Sequence, residues 1–180
     1  MLEFIGDLSR RDAEVLKELA QTHSLIVEFG SGGSTQILGH YSQGHVTSYE
    51  TNEYWISKTK KHLVSLNIEN VYIKHFNSIN DLSIPEHDLL FIDGFREMRI
   101  SFANKALETN KGIIAFHDTR KRMYTEKIVP FVHLYWNKIR RIDVNYRDSN
   151  ITLLHMREVP LAYEDWNKVE GRTRQQIGIA

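Results

Sequence analysis

The sequence contains no cysteine. Disulfides, thiolate zinc sites and cysteine nucleophiles are therefore excluded, and with them thiolate attack on a pyrimidine carbon. Net charge is missing too, because 23 Lys and Arg balance 23 Asp and Glu. Charge-driven binding to nucleic acid needs a basic face, so the balance argues against it, a local patch aside. No apolar run approaches the roughly 20 residues that span a bilayer. The stretch MLEFIGDLSRRDAEVLKELA has neither the basic start nor the long apolar core of a signal peptide. The expectation is a cytoplasmic protein with no membrane partner.

What is present is ordinary for a globular chain. It has 180 residues, 41% hydrophobic and 26% charged, which suits a single domain (1–180) with a sizeable core. Ser9-Arg10-Arg11-Asp12 has the S-x-x-D form of a helix start, and Val15, Leu16 and Leu19 then recur at helical spacing. This predicts an N-terminal helix over 10–22, within a leading segment 1–23. Residues 25–29 form a short apolar strand that runs into a glycine loop, followed by a helix over 34–41. A second strand, 45–50, is rich in β-formers and ends on Glu50. Helix 53–66 and strands 71–73 and 88–93 follow, then a helix over 95–108 and a strand over 112–116. A helix is expected over much of 124–136, with Pro130 inside it, and then two strands, 139–146 and 151–156, joined by a hairpin turn. Residues 158–180 are polar and weakly patterned and read as a tail or arm.

Strands that are apolar on both faces and alternate with helices predict an α/β fold with a mostly parallel sheet, helices on both faces, and ligands beyond the strands' carboxyl ends. Those ends read Glu28-Phe29-Gly30, Tyr49-Glu50, Asp93-Gly94 and His117-Asp118. Each carries a carboxylate, more than a purely structural sheet requires.

The stretch VEFGSGGSTQ invites two ligand readings. In a dinucleotide fingerprint, G-x-G-x-x-G, Gly30 and Gly32 supply two glycines, Thr35 stands at the third position, and Glu50 is placed to hold a ribose. Nothing in a pyrophosphate calls for Glu28 beside it. A ligand with a cationic centre and an unphosphorylated ribose fits better: Glu28 attracts the cation, directly or through water, Gly30 and Gly32 let the chain approach closely, and Glu50 accepts the ribose hydroxyls. S-adenosylmethionine has these features.

On these residues the sequence resembles the class I S-adenosylmethionine-dependent methyltransferases. Val27-Glu28-Phe29-Gly30-Ser31-Gly32-Gly33 looks like their first motif, with Ser34 where a further alternate glycine is usual. Glu50 falls at the ribose-binding acid, and His75-Phe76-Asn77-Ser78 aligns with the adenine loop, where Asp is more frequent than Asn77. Phe91-Ile92-Asp93-Gly94 and the run Gly112 to Asp118 resemble later motifs. The resemblance implies a Rossmann-like, seven-stranded, mostly parallel sheet with an antiparallel last strand. It implies S-adenosylmethionine as cofactor, held by Glu28, Gly30, Ser31, Gly32, Glu50, Asn77, Ser78 and Asp93. The implied reaction is methyl transfer to a small-molecule or sugar-like acceptor, at oxygen.

An acceptor that is only weakly acidic needs a base or a metal. Asp93 and His117 are the catalytic candidates, with Asp118 beside them. Each also has an ordinary structural alternative: a helix cap for Asp118, a satisfied strand-end histidine for His117, tight-turn chemistry for Asp93. Metal-dependent O-methyltransferases of this fold hold magnesium through carboxylates at the ends of the fourth and fifth strands. His117-Asp118 replaces their usual Asp-Asn pair, so no metal is expected. Arg96, Arg99 and the basic run Thr119-Arg120-Lys121-Arg122 border the expected acceptor position and suit an acidic or phosphorylated substrate. The [DNS]-P-P-[YFW] motif of amino-methylating DNA enzymes is absent. Two rivals stand beside this reading: a nicotinamide-dependent oxidoreductase, which would lack the third glycine and a Tyr-x-x-x-Lys pair placed for hydride chemistry, and a non-catalytic interaction module on the same fold. The oligomeric state is left open.

Overall fold

The structure, a computed structural model, describes residue 6, residues 8–160 and residues 169–171, without the side chains of 122–125. Helix α1 (Arg10–Thr22) starts where the S-x-x-D pattern placed it. Ser9 Oγ accepts from the Asp12 N–H at 3.1 Å, and the Asp12 carboxylate reaches back to the Ser9 N–H and hydroxyl. This reciprocal cap satisfies donors that a helix start otherwise leaves orphaned.

Strands β1 (Leu25–Phe29), β2 (His45–Glu50), β3 (Val71–His75), β4 (His87–Ile92) and β5 (Asn110–Phe116) alternate with α2 (Gly33–Tyr41), α3 (Glu53–Ser65) and α4 (Arg99–Ala106). Then come α5 (Arg122–Leu134), β6 (Ile139–Asp143) and β7 (Thr152–Met156). The sheet order is β3-β2-β1-β4-β5-β7-β6-β8, where β8 is the two-residue strand Glu170–Gly171. Strand β7 runs antiparallel to both neighbours, and every other pairing among the described residues is parallel. The mostly parallel sheet with an antiparallel last major strand is as expected. The sheet has one strand more than the seven expected: β8, within the 158–180 segment, pairs with β6.

Alternate residues of each strand feed opposite faces, as a period of two requires. Ile26, Leu89 and Phe91 pack with Leu16, Leu19, Ile37 and Leu38 of α1 and α2. Val27, Leu90, Ile92 and Ile114 pack on the other face with Phe102 of α4 and Phe131 of α5. Each fully buried side chain of this size stabilises by about 1.5–3 kcal/mol, so two-sided burial accounts for the sheet's near-continuous apolar runs.

Two boundaries differ from the sequence reading. The helix expected from 95 begins as a tight turn, Arg96–Met98, and becomes α-helical only at Arg99, whose side chain folds back onto the Asp93 and Gly94 carbonyls. Strand β6 stops at Asp143, because Asn145, Arg147 and Asp148 all have positive φ and cannot continue a ladder. The expected hairpin turn is therefore a longer loop. No described helix is long and apolar enough to cross a membrane.

Candidate active site

A cleft of about 420 Å³ opens at the carboxyl ends of β1, β2, β4 and β5, a size usual for a small-molecule site. It lies where the chain, having run outward from β1 to β3, crosses back to β4. This is the switch point at which open α/β sheets bind ligands. Gly30 and Gly94 pack backbone to backbone there. Gly30 has φ +102, and a Cβ on it would stand 2.5 Å from the Gly94 Cα. Only glycine fits this crossing of the β1 and β4 loops.

The loop after β1 is fastened from beneath by Glu28. The carboxylate is fully buried and accepts from Ser34 Oγ at 2.5 Å, Thr35 Oγ1 at 2.6 Å and Ser48 Oγ at 2.6 Å. The Thr35 hydroxyl also accepts the Gly32 N–H, and Ser31 Oγ bonds Ser48 Oγ. Burial pushes the Glu28 carboxyl up to about 7, against the lowering pull of the three hydroxyls. The expectation that Glu28 meets a ligand needs correcting. It does not line the cleft, and its hydrogen bonds go to the loop, the first turn of α2 and β2.

Glu50, at the end of β2, lines the cleft. Its Oε1 accepts the Thr51 and Asn52 N–H groups at 2.7 and 2.9 Å, and its Oε2 accepts the Ser31 N–H at 2.9 Å. An ionised carboxylate has about four acceptor positions, so with three backbone donors bound Oε2 retains capacity toward the cleft. Gly30, Ser31 and Gly32 also line it. Asn77 and Ser78 do not: Asn77 is exposed, and Ser78 caps a short turn by accepting from the Asn80 N–H.

Asp93, His117 and Asp118 come together at the far side of the cleft, around two cations. Asp93 Oδ1 accepts from His117 Nδ1 at 2.9 Å and from Arg99 Nη2 at 3.0 Å. The other imidazole nitrogen, Nε2, lies 3.3 Å from Asp12 Oδ2. With a carboxylate at each nitrogen, the ring is held as the imidazolium. Burial opposes that charge, but the hydrogen bonds to Asp12 and Asp93 outweigh it and push His117 up to about 10. Burial likewise opposes the Asp12 charge, and bonds from His117, Ser9 and Asn150 hold that carboxyl well below the usual range. The general-base expectation for His117 is therefore corrected: at neutral pH it carries its proton already. Arg99 further donates to the Asp93, Gly94 and His117 carbonyls.

The ligand atoms of Asp93, His117 and Asp118 lie within 4.8 Å of one another, which raises the magnesium question again. The donors do not fit. Both ring nitrogens of His117 face carboxylates, Asp93 Oδ1 already accepts from two cations, and Asp118 Oδ1 is 2.9 Å from Lys121 Nζ, with Oδ2 3.7 Å from Arg99. Oxygens already engaged by guanidinium, imidazolium and ammonium do not leave the oxygen cage a hard divalent cation demands.

Sequence reasoning missed several participants. Asp12 was read only as a capping residue, since nothing local ties it to a position 105 residues on. The hydroxyls of Ser34, Thr35 and Ser48 carried no signal beyond loop composition. Trp55, on α3, borders the cleft with Phe95. Of the basic residues singled out, Arg99 and Lys121 line the cleft. Arg96 lies 4.0 Å from Glu97, and Arg120 binds the Asp148 carbonyl. Tyr54 and Lys58 do have Tyr-x-x-x-Lys spacing, on α3, but neither lines the cleft, and the Lys58 ammonium stands 5.7 Å over the Tyr54 ring.

No family model and no curated protein matches the chain. Solved structures do. An O-methyltransferase from Bacillus cereus in complex with S-adenosylhomocysteine superimposes with a TM-score of 0.66 at 19% identity, over 84% of this chain and 83% of its own. The O-methyltransferase TomG of tomaymycin synthesis from Streptomyces achromogenes, bound to S-adenosylmethionine, gives 0.67 at 13% identity, over 87% and 82%. A methyltransferase-like protein from Silicibacter pomeroyi gives 0.64 at 16%, over 94% and 96%. The fold is that of the Rossmann-like methyltransferases; at these identities the likeness shows the fold alone.

Proposed function

We propose that this chain is an S-adenosylmethionine-dependent methyltransferase that acts on an oxygen of a small acceptor. One observation carries the choice of cofactor: Glu50, at the end of β2, lines the cleft and accepts the Ser31 N–H of the glycine loop, so a carboxylate with acceptor capacity left stands where the loop meets the ligand. A pyrophosphate would meet negative charge at such a loop, whereas a ligand bearing a sulfonium and an ammonium is attracted by it. Glu50 Oε2, with acceptor capacity left, serves a ribose hydroxyl. Gly30, Ser31 and Gly32 give close backbone approach, and Asp93 borders the far end of the ligand. Asn77 and Ser78, one strand beyond Glu50, are the adenine side in this reading. The cofactor-bound neighbours of the same fold support it, as does the absence of Tyr54 and Lys58 from the cleft.

The task of the site is alignment of an acceptor oxygen behind the methyl carbon, since the sulfonium already activates transfer. Calorimetric titration tests the reading. S-adenosylmethionine and S-adenosylhomocysteine are expected to bind in the micromolar range and NAD not at all, and Glu50→Ala should abolish adenosyl binding. Binding of NAD alone would overturn the proposal.

A further inference from the structure

The cluster that corresponds to a metal site in other enzymes of this fold is built, in this chain, from fixed protein cations. We propose that Arg99 and His117 close the Asp93–Asp118 pair to divalent metals, and that the acceptor arrives as an oxyanion, a carboxylate or an acidic phenolate, which Lys121 receives. The inference rests on the methyltransferase reading above and narrows its acceptor class.

The geometry comes first. Arg99 is held by five contacts: the carbonyls of Asp93, Gly94 and His117, and the carboxylates of Asp93 at 3.0 Å and Asp118 at 3.7 Å. Its side chain is only 9% exposed, so the guanidinium is part of the wall and does not swing aside for an ion. His117 is fixed just as firmly, between Asp12 and Asp93. Three carboxylates, Asp12, Asp93 and Asp118, face Arg99, His117 and the Lys121 ammonium, and a divalent ion would have to displace a guanidinium that is otherwise buried and bonded.

The chemistry follows. Without a metal, an aliphatic hydroxyl, about as reluctant as water to lose its proton, finds no group here strong enough to take it: water needs a bound ion to fall from about 15.7 to about 7. His117 is already protonated on both nitrogens by its geometry, and a carboxylate is a weak base, about 3.9 for a free Asp. An oxygen that is already ionised needs neither. Its lone pair attacks the methyl carbon; the O–C bond forms as the C–S bond breaks, and the electron pair goes to sulfur. The positively charged sulfonium becomes neutral S-adenosylhomocysteine, the oxyanion becomes a neutral ester or ether, and no proton moves.

Lys121 is placed for the oxyanion. It lines the cleft, its ammonium sits 2.9 Å from Asp118 Oδ1, and its side chain is 56% exposed, unlike the buried Arg99. Phe95, 58% exposed, and Trp55 border the same cleft, which suits an anion attached to a flat apolar body.

The test uses the full chain saturated with S-adenosylhomocysteine and two probes, Mn²⁺ followed by electron paramagnetic resonance and benzoate followed by calorimetry. The expected results are no saturable Mn²⁺ binding below about 1 mM and saturable benzoate binding that EDTA leaves unchanged. Benzoate binding should weaken by about tenfold or more in Lys121→Ala and be largely retained in Lys121→Arg. Circular dichroism and S-adenosylhomocysteine affinity establish that the variants are folded. Stoichiometric Mn²⁺ binding that disappears in Asp118→Asn would overturn the inference, as would benzoate that fails to bind or binds Lys121→Ala equally well. If S-adenosylhomocysteine itself does not bind, the cofactor reading falls and takes this inference with it; the other outcomes overturn the inference alone.

Discussion

Asp12 of α1 and His117 at the end of β5 stand 105 positions apart in the chain, yet Asp12 Oδ2 and His117 Nε2 meet at 3.3 Å inside the protein. The contact joins the N-terminal helix to the floor of the cleft, because the other side of the ring bonds Asp93. Asp12 also accepts the Asn150 N–H at 2.7 Å, so one buried carboxylate ties together a helix start, a strand end and the loop between β6 and β7. Replacing it with alanine leaves a buried imidazolium and a backbone donor short of a partner. The expected loss is about 3–5 kcal/mol, read from urea unfolding. Glu14→Ala, which removes the exposed partner of Arg11, should cost under about 1 kcal/mol. Equal losses would show that the Asp12 contact does not hold the fold together.

Above neutral pH, stability is predicted to fall as pH rises. His117 is raised to about 10 from 6.5, so its contribution is fully present below about 6.5 and is lost as pH climbs through 10. Glu28, raised to about 7 from 4.5, binds its proton more tightly when folded and gives a slope of the same sign between those two values. Urea midpoints at pH 8, 9 and 10 should therefore decline, and His117→Asn should flatten that fall. A midpoint that rises over this range would contradict the assignment of the buried imidazolium.

The cage around Glu28 gives a third expectation. Thr35→Val preserves shape but removes the acceptor of the Gly32 N–H and a donor to the buried Glu28, the latter worth about 1–3 kcal/mol when left unpaired. Stability should drop by roughly that amount, and affinity for S-adenosylhomocysteine should fall with it, because the same hydroxyl holds the loop. Affinity unchanged in a destabilised variant would separate the cage from the ligand site.

Gly30→Ala is the sharpest steric test. The added Cβ would stand 2.5 Å from backbone atoms of Gly94, at a φ that L side chains rarely adopt. Backbone cannot yield as a flexible side chain can. A loss of at least about 2 kcal/mol is expected from the clash and strain together, measured as a fall in Tm. A variant within experimental error of the wild type would mean that the β1 and β4 loops are not locked.

Much of the architecture was legible in the sequence because its signals are local. The apolar runs 25–29 and 88–93, the S-x-x-D start at Ser9 and the acids at four of the strand ends depend on neighbours a few positions away, and the structure has strands at Leu25–Phe29 and His87–Ile92 and the helix cap at Ser9. The failures were local signals with a second meaning. Arg99 had helical neighbours, yet its guanidinium folds back and tightens the turn before α4. The β6 strand lost its last residues to positive φ at Asn145, Arg147 and Asp148, which ordinary side chains do not announce.

The sequence by itself determined the α/β order, the glycine loop and the lining of the strand ends with carboxylates, because periodicity and strand polarity are fixed along the chain. Only the tertiary structure decided what each carboxylate faces. Glu28 turned inward to three hydroxyls, Glu50 lines the cleft while its Oε2 accepts the Ser31 N–H, and Asp93 was given to Arg99 and to a histidine charged by Asp12. A charge's role is set by the groups within a few ångströms of it, and in a sheet built by crossing connections those groups come from distant parts of the chain.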